Sequence, residues 1–427
     1  MTRRGPGSDG VYRVGYLVSH PIQYQAPMLR YLATRPELEL TVLFLSDMSV
    51  RAYPDRGFGV TVSWDVPLRE GYTHVFLPCV GRRDRVSLLQ PLVIGIRRAL
   101  RAARFDALWI HGYAHHAMLR AIAVANSLGL PVLLRGESTL LDRPSGRLRG
   151  TLKRSLLPRL FRRIHGFLAI GSRNREFYRA YGVPDEHIFP MPYAVDNQFF
   201  QSRAAEARRV RDSFRADLGL TAGRPVILYA AKLQRRKRPA DLLEAYRRLS
   251  PNGSAEPRPY LFCIGDGEER SRLETAAQRL GWSSIRFLGF QNQTELPRFY
   301  DLADVFVLPS EYEPWGLVVN EVMNAGRPVI VSERVGAAAD LVEDGKNGFI
   351  VPTGDVTVLA ARLRTLTEDP GLALRMGQES ARRISTWNFE SDARGLLACL
   401  DAVVPRRGGR APGAMGVAAG SDPRVTE

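Results

Sequence analysis

The stretch Pro309-Ser-Glu-Tyr-Glu-Pro-Trp-Gly-Leu-Val-Val-Asn-Glu-Val-Met-Asn-Ala-Gly-Arg-Pro-Val329 decides how the rest of this 427-residue chain is read. A short apolar run, Val305–Leu308, reads as a buried strand. A Pro/Glu loop follows it, and a helix opens near Trp315–Gly316. Gly316 lets a ligand approach the backbone closely, and the unpaired amides at the start of a helix, here Gly316 and Leu317, favour phosphate. Glu313 stands just before this helix and Glu321 lies inside it, eight residues on. At 1.5 Å per residue the two are about 12 Å apart along the axis. Carboxylates that flank one glycosidic bond sit about 5–9.5 Å apart, so this pair does not suit glycoside hydrolysis. Two acceptors on either side of an amide-lined helix start suit a ligand with hydroxyls at both ends and a diphosphate between. Residue types alone equally describe a dipole-favoured glutamate and a solvated one.

Outward from this segment, strands and helices alternate. Val226–Ala230, Tyr260–Ile264, Ile285–Phe287, Val305–Leu308, Val329–Val331 and Phe349–Val351 read as buried strands. Pro239–Leu249, Glu268–Leu280, Gly316–Ala325 and Val356–Leu366 read as the helices between them. An earlier series runs through Val11–Val18, Leu38–Leu45, Ala107–Ile110, Val132–Leu134, Gly166–Ile170 and Ile188–Met191. Its helices are Ala26–Thr34, Leu88–Arg104 and Ala114–Leu128. Such alternation predicts parallel sheets with crossover helices, and ligands at the carboxyl ends of the strands. The expected fold class is α/β: two doubly wound Rossmann-like domains facing across a cleft. The expected bounds are a tail at 1–10, a first domain at 11–197, a connection at 198–223 and a second domain at 224–388. A C-terminal helix at 389–404 returns to the first domain, and a second tail covers 405–427.

The chain is 45% hydrophobic and 24% charged, which excludes wholesale disorder and a disulfide-stapled miniature. No stretch of about 18 apolar residues is free of charge, and the first ten residues carry no apolar core of a leader. Cys79, Cys263 and Cys399 lack metal-ligand spacing. These features predict a cytoplasmic protein with reduced thiols and no metal. The net charge of +16 is uneven: residues 1–200 hold 28 basic and 15 acidic side chains. The segment 143–179 has eleven basic residues and one acid, Glu176, with Leu148, Leu152, Leu156, Leu160 and Ile164 at helical spacing. It reads either as a surface for anionic membrane or as a crossover helix with its Leu face on the sheet. Few aromatic residues, among them Phe161, Phe167 and Tyr178, interleave it, so nucleic acid is not an expected partner.

Lys232 and Lys237 are two of only four lysines in the chain, and they follow the strand Val226–Ala230. Their spacing brings two ammonium groups to the strand end, where a diphosphate is gripped; the other reading is a solvated basic turn. His111 follows Ala107–Ile110. Ser19-His-Pro-Ile-Gln-Tyr-Gln25 is the first strand's loop, and Arg135-Gly-Glu-Ser138 ends another strand. Gln23, Tyr24, Arg135 and Glu137 are acceptor-side candidates, with core packing or an ion pair as the other readings. Gly265-Asp-Gly-Glu268 reads as a tight strand-to-helix turn.

The glutamate-x7-glutamate segment, with Ala303-Asp-Val-Phe-Val-Leu-Pro-Ser310 before it and Val335-Gly-Ala-Ala-Ala-Asp-Leu-Val-Glu-Asp-Gly-Lys-Asn-Gly-Phe-Ile-Val-Pro352 after it, resembles the retaining glycosyltransferases of family 4, which have the GT-B fold. The resemblance runs over about residues 11–403. It implies transfer of a sugar from a nucleoside-diphosphate sugar to a hydroxyl of a glycan, glycolipid or small molecule, without a cofactor. It also implies work in polysaccharide or cell-envelope synthesis, peripherally on the inner face of the plasma membrane. By resemblance, Glu313 holds sugar hydroxyls near the anomeric carbon, Glu321 the ribose, His111 the sugar from across the cleft, and Lys232 and Lys237 the leaving diphosphate. The family pattern has Arg where Lys232 stands, and Gly where Ala231 and Arg238 stand. A nucleotide-sugar epimerase on the same scaffold and a non-catalytic basic binding protein are the alternative readings.

Overall fold

The computed structural model describes residues 10–55, 57–142, 147–250, 256 and 259–405, without the side chains of 147–152. Most of both terminal tails therefore lies outside the described residues.

Two parallel sheets organise the chain. The first runs, from one edge, Ile188–Pro190, Gly166–Ala169, Val132–Arg135, Ala107–His111, Tyr12–Val18, Leu38–Phe44 and Thr73–Phe76. The second runs Ile285–Gly289, Tyr260–Ile264, Val226–Ala230, Val305–Leu308, Val329–Ser332 and Gly348–Val351. Strands such as Val226–Ala230 and Val305–Leu308 are buried at every residue, as a sheet covered on both faces demands. In each sheet the strand order reverses next to the first strand. The reversals fall between Tyr12–Val18 and Ala107–His111, and between Val226–Ala230 and Val305–Leu308. At such a point neighbouring loops diverge and leave a crevice beyond the carboxyl ends. The candidate site segments follow one of these four strands or the adjacent Val132–Arg135 and Tyr260–Ile264.

Several segments differ from the sequence expectation. Leu88–Arg104 is not one helix. Leu92–Val93 forms a short strand and Gly95 has a φ of 74°, so only Ile96–Ala102 is helical. The stretch Gln198–Gly223 is not an irregular connection but carries the helices Asn197–Arg209 and Arg211–Asp217. Phe200 and Ala204 of the first of these join the second domain's core beside Tyr300 and Leu302. The helix Arg147–Phe161 turns Leu157 and Phe161 into the first domain's core, together with the following Ile164. Those side chains are thereby withdrawn from any membrane. Leu156 is exposed, and 143–146 lie outside the described residues.

The helix Phe389–Val403 crosses back to the first domain. Leu396, Cys399, Leu400 and Val403 are buried there with Val14, Trp109 and Leu133. A Cβ at Gly395 would stand 1.7 Å from the Pro190 carbonyl oxygen, so only glycine admits this close crossing. Where the chain returns, Trp387 stacks on Trp315 with centroids 5.6 Å apart, and its Nε1–H donates to the Tyr193 carbonyl at 2.8 Å.

Candidate functional site

A cavity of about 310 Å³ opens between the carboxyl ends of the two sheets. That volume falls within the range of small-molecule sites. Its wall on the second domain includes Ala231, Gly265, Glu313, Gly316, Leu317 and Glu321. The first domain supplies Gln23, Tyr24, Phe58, Trp64 and Glu137.

The helix Leu317–Asn324 starts on Gly316, whose φ of 98° favours glycine. No side chain caps this end, so the amides of the first turn face the cavity unshielded. Gly265 has a different task. A Cβ there would lie 2.1 Å from the Ala231 carbonyl oxygen, so glycine is what lets the two strand-end loops pack backbone to backbone. Glu321, in the second turn of the helix, accepts from the Tyr300 hydroxyl at 2.6 Å. Burial pushes its carboxyl up to about 7, against the lowering effect of Tyr300.

Both lysines are engaged by carboxylates and neither lines the open cavity. Lys237 is 8% exposed and pairs with Glu313. Burial, and then Arg236 and Lys232, push its ammonium pKa down, to about 7; the Glu313 carboxylate opposes that shift. Lys232 reaches across the cleft to Asp55, with Nζ 2.8 Å from Oδ1, and sits 4.5 Å from the centre of the Phe58 ring. The amides of Gly57 and Phe58 donate to the same Asp55 oxygen at 2.7 and 3.0 Å. Burial works against ionisation of Asp55, but Lys232 and these amides outweigh it and lower the carboxyl. The hairpin of Tyr53–Asp55 and Val60–Val62 is thus strapped to the second domain. Asn292 donates to the Ser63 carbonyl at 2.6 Å, the Thr294 amide donates to Asp65 at 3.2 Å, and Phe58 meets Phe290 edge-on at 4.9 Å.

On the first domain, Glu137 accepts from the hydroxyls of Tyr193 at 2.5 Å and Tyr24 at 3.3 Å. Burial opposes its ionisation, but His111 and the two tyrosines hold the carboxyl below its usual range. His111 stands behind this wall rather than on it, with Nε2 3.9 Å from Glu137. Gln25 Oε1 accepts from the Tyr16 hydroxyl at 2.9 Å, and its amide nitrogen lies 3.1 Å from His111 Nε2. His111 Nδ1 is buried without a hydrogen-bond partner.

Arg135 is a correction. It is 1% exposed, and its guanidinium is consumed by Asp392 at 3.1 Å and by the carbonyls of Met191 and Pro192. It bolts the C-terminal helix to the sheet and contacts no acceptor. Asp55, Phe58, Trp64, Tyr193, Phe290 and Tyr300 were not legible as site residues. They belong to no motif, and long-range packing alone brings them to the cavity.

Comparison with known proteins agrees with this geometry. A model of group 1 glycosyl transferases matches residues 210–383, and one of a glycosyl transferase 4-like domain matches residues 24–194. The chain belongs to the group 1 glycosyltransferases. This glycosyltransferase chain is 31% identical to an α-D-kanosaminyltransferase of Streptomyces kanamyceticus, over 48% of its own length and 52% of the relative's. It is 36% identical to a lipopolysaccharide core biosynthesis glycosyltransferase of Rhizobium meliloti, over 38% and 46%. The chain thus spans about half the length of these curated relatives. Its fold is that of an Anabaena protein, HepE, solved with UDP and glucose. The TM-score is 0.67 at 17% identity, covering 92% of this chain and all of that one. The architecture is therefore GT-B.

Proposed function

We propose that the chain transfers a sugar from a nucleoside-diphosphate sugar to an acceptor hydroxyl, with retention of anomeric configuration. The observation that carries this is one cavity lined by Glu313, Glu321 and the helix start at Gly316 and Leu317, with Lys237 paired to Glu313 behind its wall and Lys232 held by Asp55 at the cleft. Solved neighbours hold UDP, UDP-glucose or UDP-2-fluoro glucose in the same architecture.

In this reading the diphosphate lies on the helix amides, with the ribose at Glu321 and the sugar at Glu313. Lys232 and Lys237 leave Asp55 and Glu313 for phosphate oxygens. As the glycosidic C–O bond breaks, negative charge grows on the departing diphosphate and positive charge on the anomeric carbon. Preorganised cations and amides stabilise the first, and the Glu313 carboxylate the second. These groups do the charge work that a metal does elsewhere. His111 acts on the site from behind Glu137, whose carboxylate lies 3.9 Å from its Nε2. Gln23, Tyr24 and Glu137 receive the acceptor, a glycan, glycolipid or small molecule.

The test is incubation of the full chain with a panel of nucleotide sugars, with and without acceptor alcohols, and proton NMR of the product's anomeric signal. Nucleoside diphosphate released in step with an α-to-α or β-to-β transfer supports the reading. An isomerised nucleotide sugar formed without acceptor would make the chain an epimerase instead.

A further inference from the structure

The loop that the sequence reads as helix exposes a set of apolar side chains. Leu88 is 66% exposed, Leu89 64%, Leu92 48% and Ile94 45%. Val80, which pairs with Leu92 in a short antiparallel ladder, is exposed beside them. The loop is built rather than slack. Its Leu88 carbonyl accepts from the His116 amide at 2.9 Å, and its Gln90 carbonyl pairs with His115 Nε2 at 2.9 Å. Arg120 donates to the Val93 carbonyl at 3.1 Å. A protein surface seldom fixes several large aliphatic residues in one exposed loop unless something covers them.

The surroundings say what covers them. Directly after Ile94, Arg97, Arg98 and Arg101, with Arg120 of the neighbouring helix, line one shallow basin. Among the described residues no carboxylate pairs with any of the four. Between residues 80 and 104 there are seven arginines and one acid, Asp84, which is itself paired with Arg82. Exposed aliphatic groups next to unpaired guanidiniums match an interface that is apolar in depth and anionic at its surface. His115 and His116 hold the patch in place and follow His111, which stands behind the cavity's first-domain wall, by four and five residues.

We propose that this face, at residues 80–101 and 120, docks on an anionic lipid bilayer. Leu88, Leu89, Leu92 and Ile94 enter the headgroup region, and the arginine basin receives lipid phosphates. The surface is separate in sequence from the 143–179 segment and does not depend on which sugar is transferred.

The experiment measures partitioning of the full chain onto vesicles of phosphatidylglycerol and phosphatidylcholine in equal parts, and onto phosphatidylcholine alone, at low and high salt. The wild type is expected to bind the anionic vesicles and to weaken with salt. Leu88→Asp/Leu89→Asp and Arg98→Ser/Arg101→Ser are each expected to lower the partition constant about tenfold or more. Both should keep the wild-type melting temperature and nucleotide affinity. Wild-type binding by the Leu88→Asp/Leu89→Asp variant would overturn the proposal and assign binding to net charge elsewhere. Absence of wild-type binding to either vesicle would also overturn it. So would a wild-type dimer in sedimentation that this variant dissociates without any vesicle binding, since the patch would then join two copies of the chain.

Discussion

Asp55 of the first domain and Lys232 of the second meet at 2.8 Å across the cleft, through the carboxylate oxygen that also accepts the amides of Gly57 and Phe58. A Cβ at Gly57 would lie 2.6 Å from Lys232 Nζ, so the glycine makes room for the ammonium group. A diphosphate that claims Lys232 must displace this carboxylate. Asp55→Asn removes the competing charge, and because the pair is partly exposed the gain is modest, about 1 kcal/mol or about fivefold in affinity. Calorimetric titration with a nucleoside diphosphate checks it. Weaker binding by the variant would mean that the strapped hairpin assists the ligand instead of competing with it.

Glu313 and Lys237 form a coupled unit, so substitution of one is felt at the other. Burial and the neighbouring cations already push Lys237 down to about 7 in the wild type, and Glu313→Gln removes the carboxylate that opposes them, so the variant's ammonium is pushed lower still. Nucleoside diphosphate affinity of the wild type is expected to fall as pH rises from 6 to 8, and that of Glu313→Gln to be weakened already at pH 6. Parallel titrations at the two pH values decide it, and a profile for the variant identical to the wild type's would break the coupling.

The fold and half of the site were legible in the sequence for identifiable reasons. Buried parallel strands are continuous apolar runs, so Val226–Ala230 and Val305–Leu308 announce themselves. The groups that follow them, Lys232, Lys237, Glu313 and Gly316, are local in sequence. By contrast, Thr73–Phe76 alternates exposed and half-buried residues at a sheet edge and carries no such signal. Of the leucines in Leu88–Arg104 only Leu100 is buried, whereas Leu88, Leu89 and Leu92 face outward, so the stretch does not form one helix face. The partners that complete the site depend on contacts 177 residues apart for Asp55 and Lys232, and 56 apart for Glu137 and Tyr193. No spacing rule reaches that far.

Glu321 carries a stability cost that its variant should reveal. Its carboxyl is raised from 4.5 to about 7 by burial. A raised folded-state pKa gives a contribution fully present below pH 4.5 and lost as pH rises through 7. Glu321→Gln has no charge to bury, so it is expected to melt higher than the wild type at pH 8, by an increment worth up to about 3 kcal/mol. Near pH 4.5 the two should converge. Thermal melts at both pH values, without nucleotide, make the comparison. A variant less stable at pH 8 would show that the Tyr300 hydrogen bond outweighs desolvation.

Arg135 and Asp392 hold the C-terminal helix on the first sheet. Breaking a buried pair by removing one partner leaves an uncompensated charge and costs about 3–5 kcal/mol, whereas replacing both with apolar residues is often neutral. Arg135→Met should therefore lower the melting temperature sharply, and Arg135→Met/Asp392→Leu should recover most of the loss. Calorimetric melts of the three proteins test this. If Arg135→Met kept its stability but raised the KM for acceptor, the residue would belong to the acceptor site after all.

The central claim is that the cavity grips a nucleoside diphosphate through Lys237 beside the amides of the helix at Gly316. The most direct measurement is calorimetric titration of the wild type and Lys237→Ala with a nucleoside diphosphate and with the matching nucleoside, at pH 6, where the wild-type lysine is charged. Loss of a charge-assisted contact in a buried site predicts at least about tenfold weaker diphosphate binding by Lys237→Ala, with no change for the nucleoside. Equal diphosphate affinity for the two proteins would contradict the account and place the phosphates elsewhere.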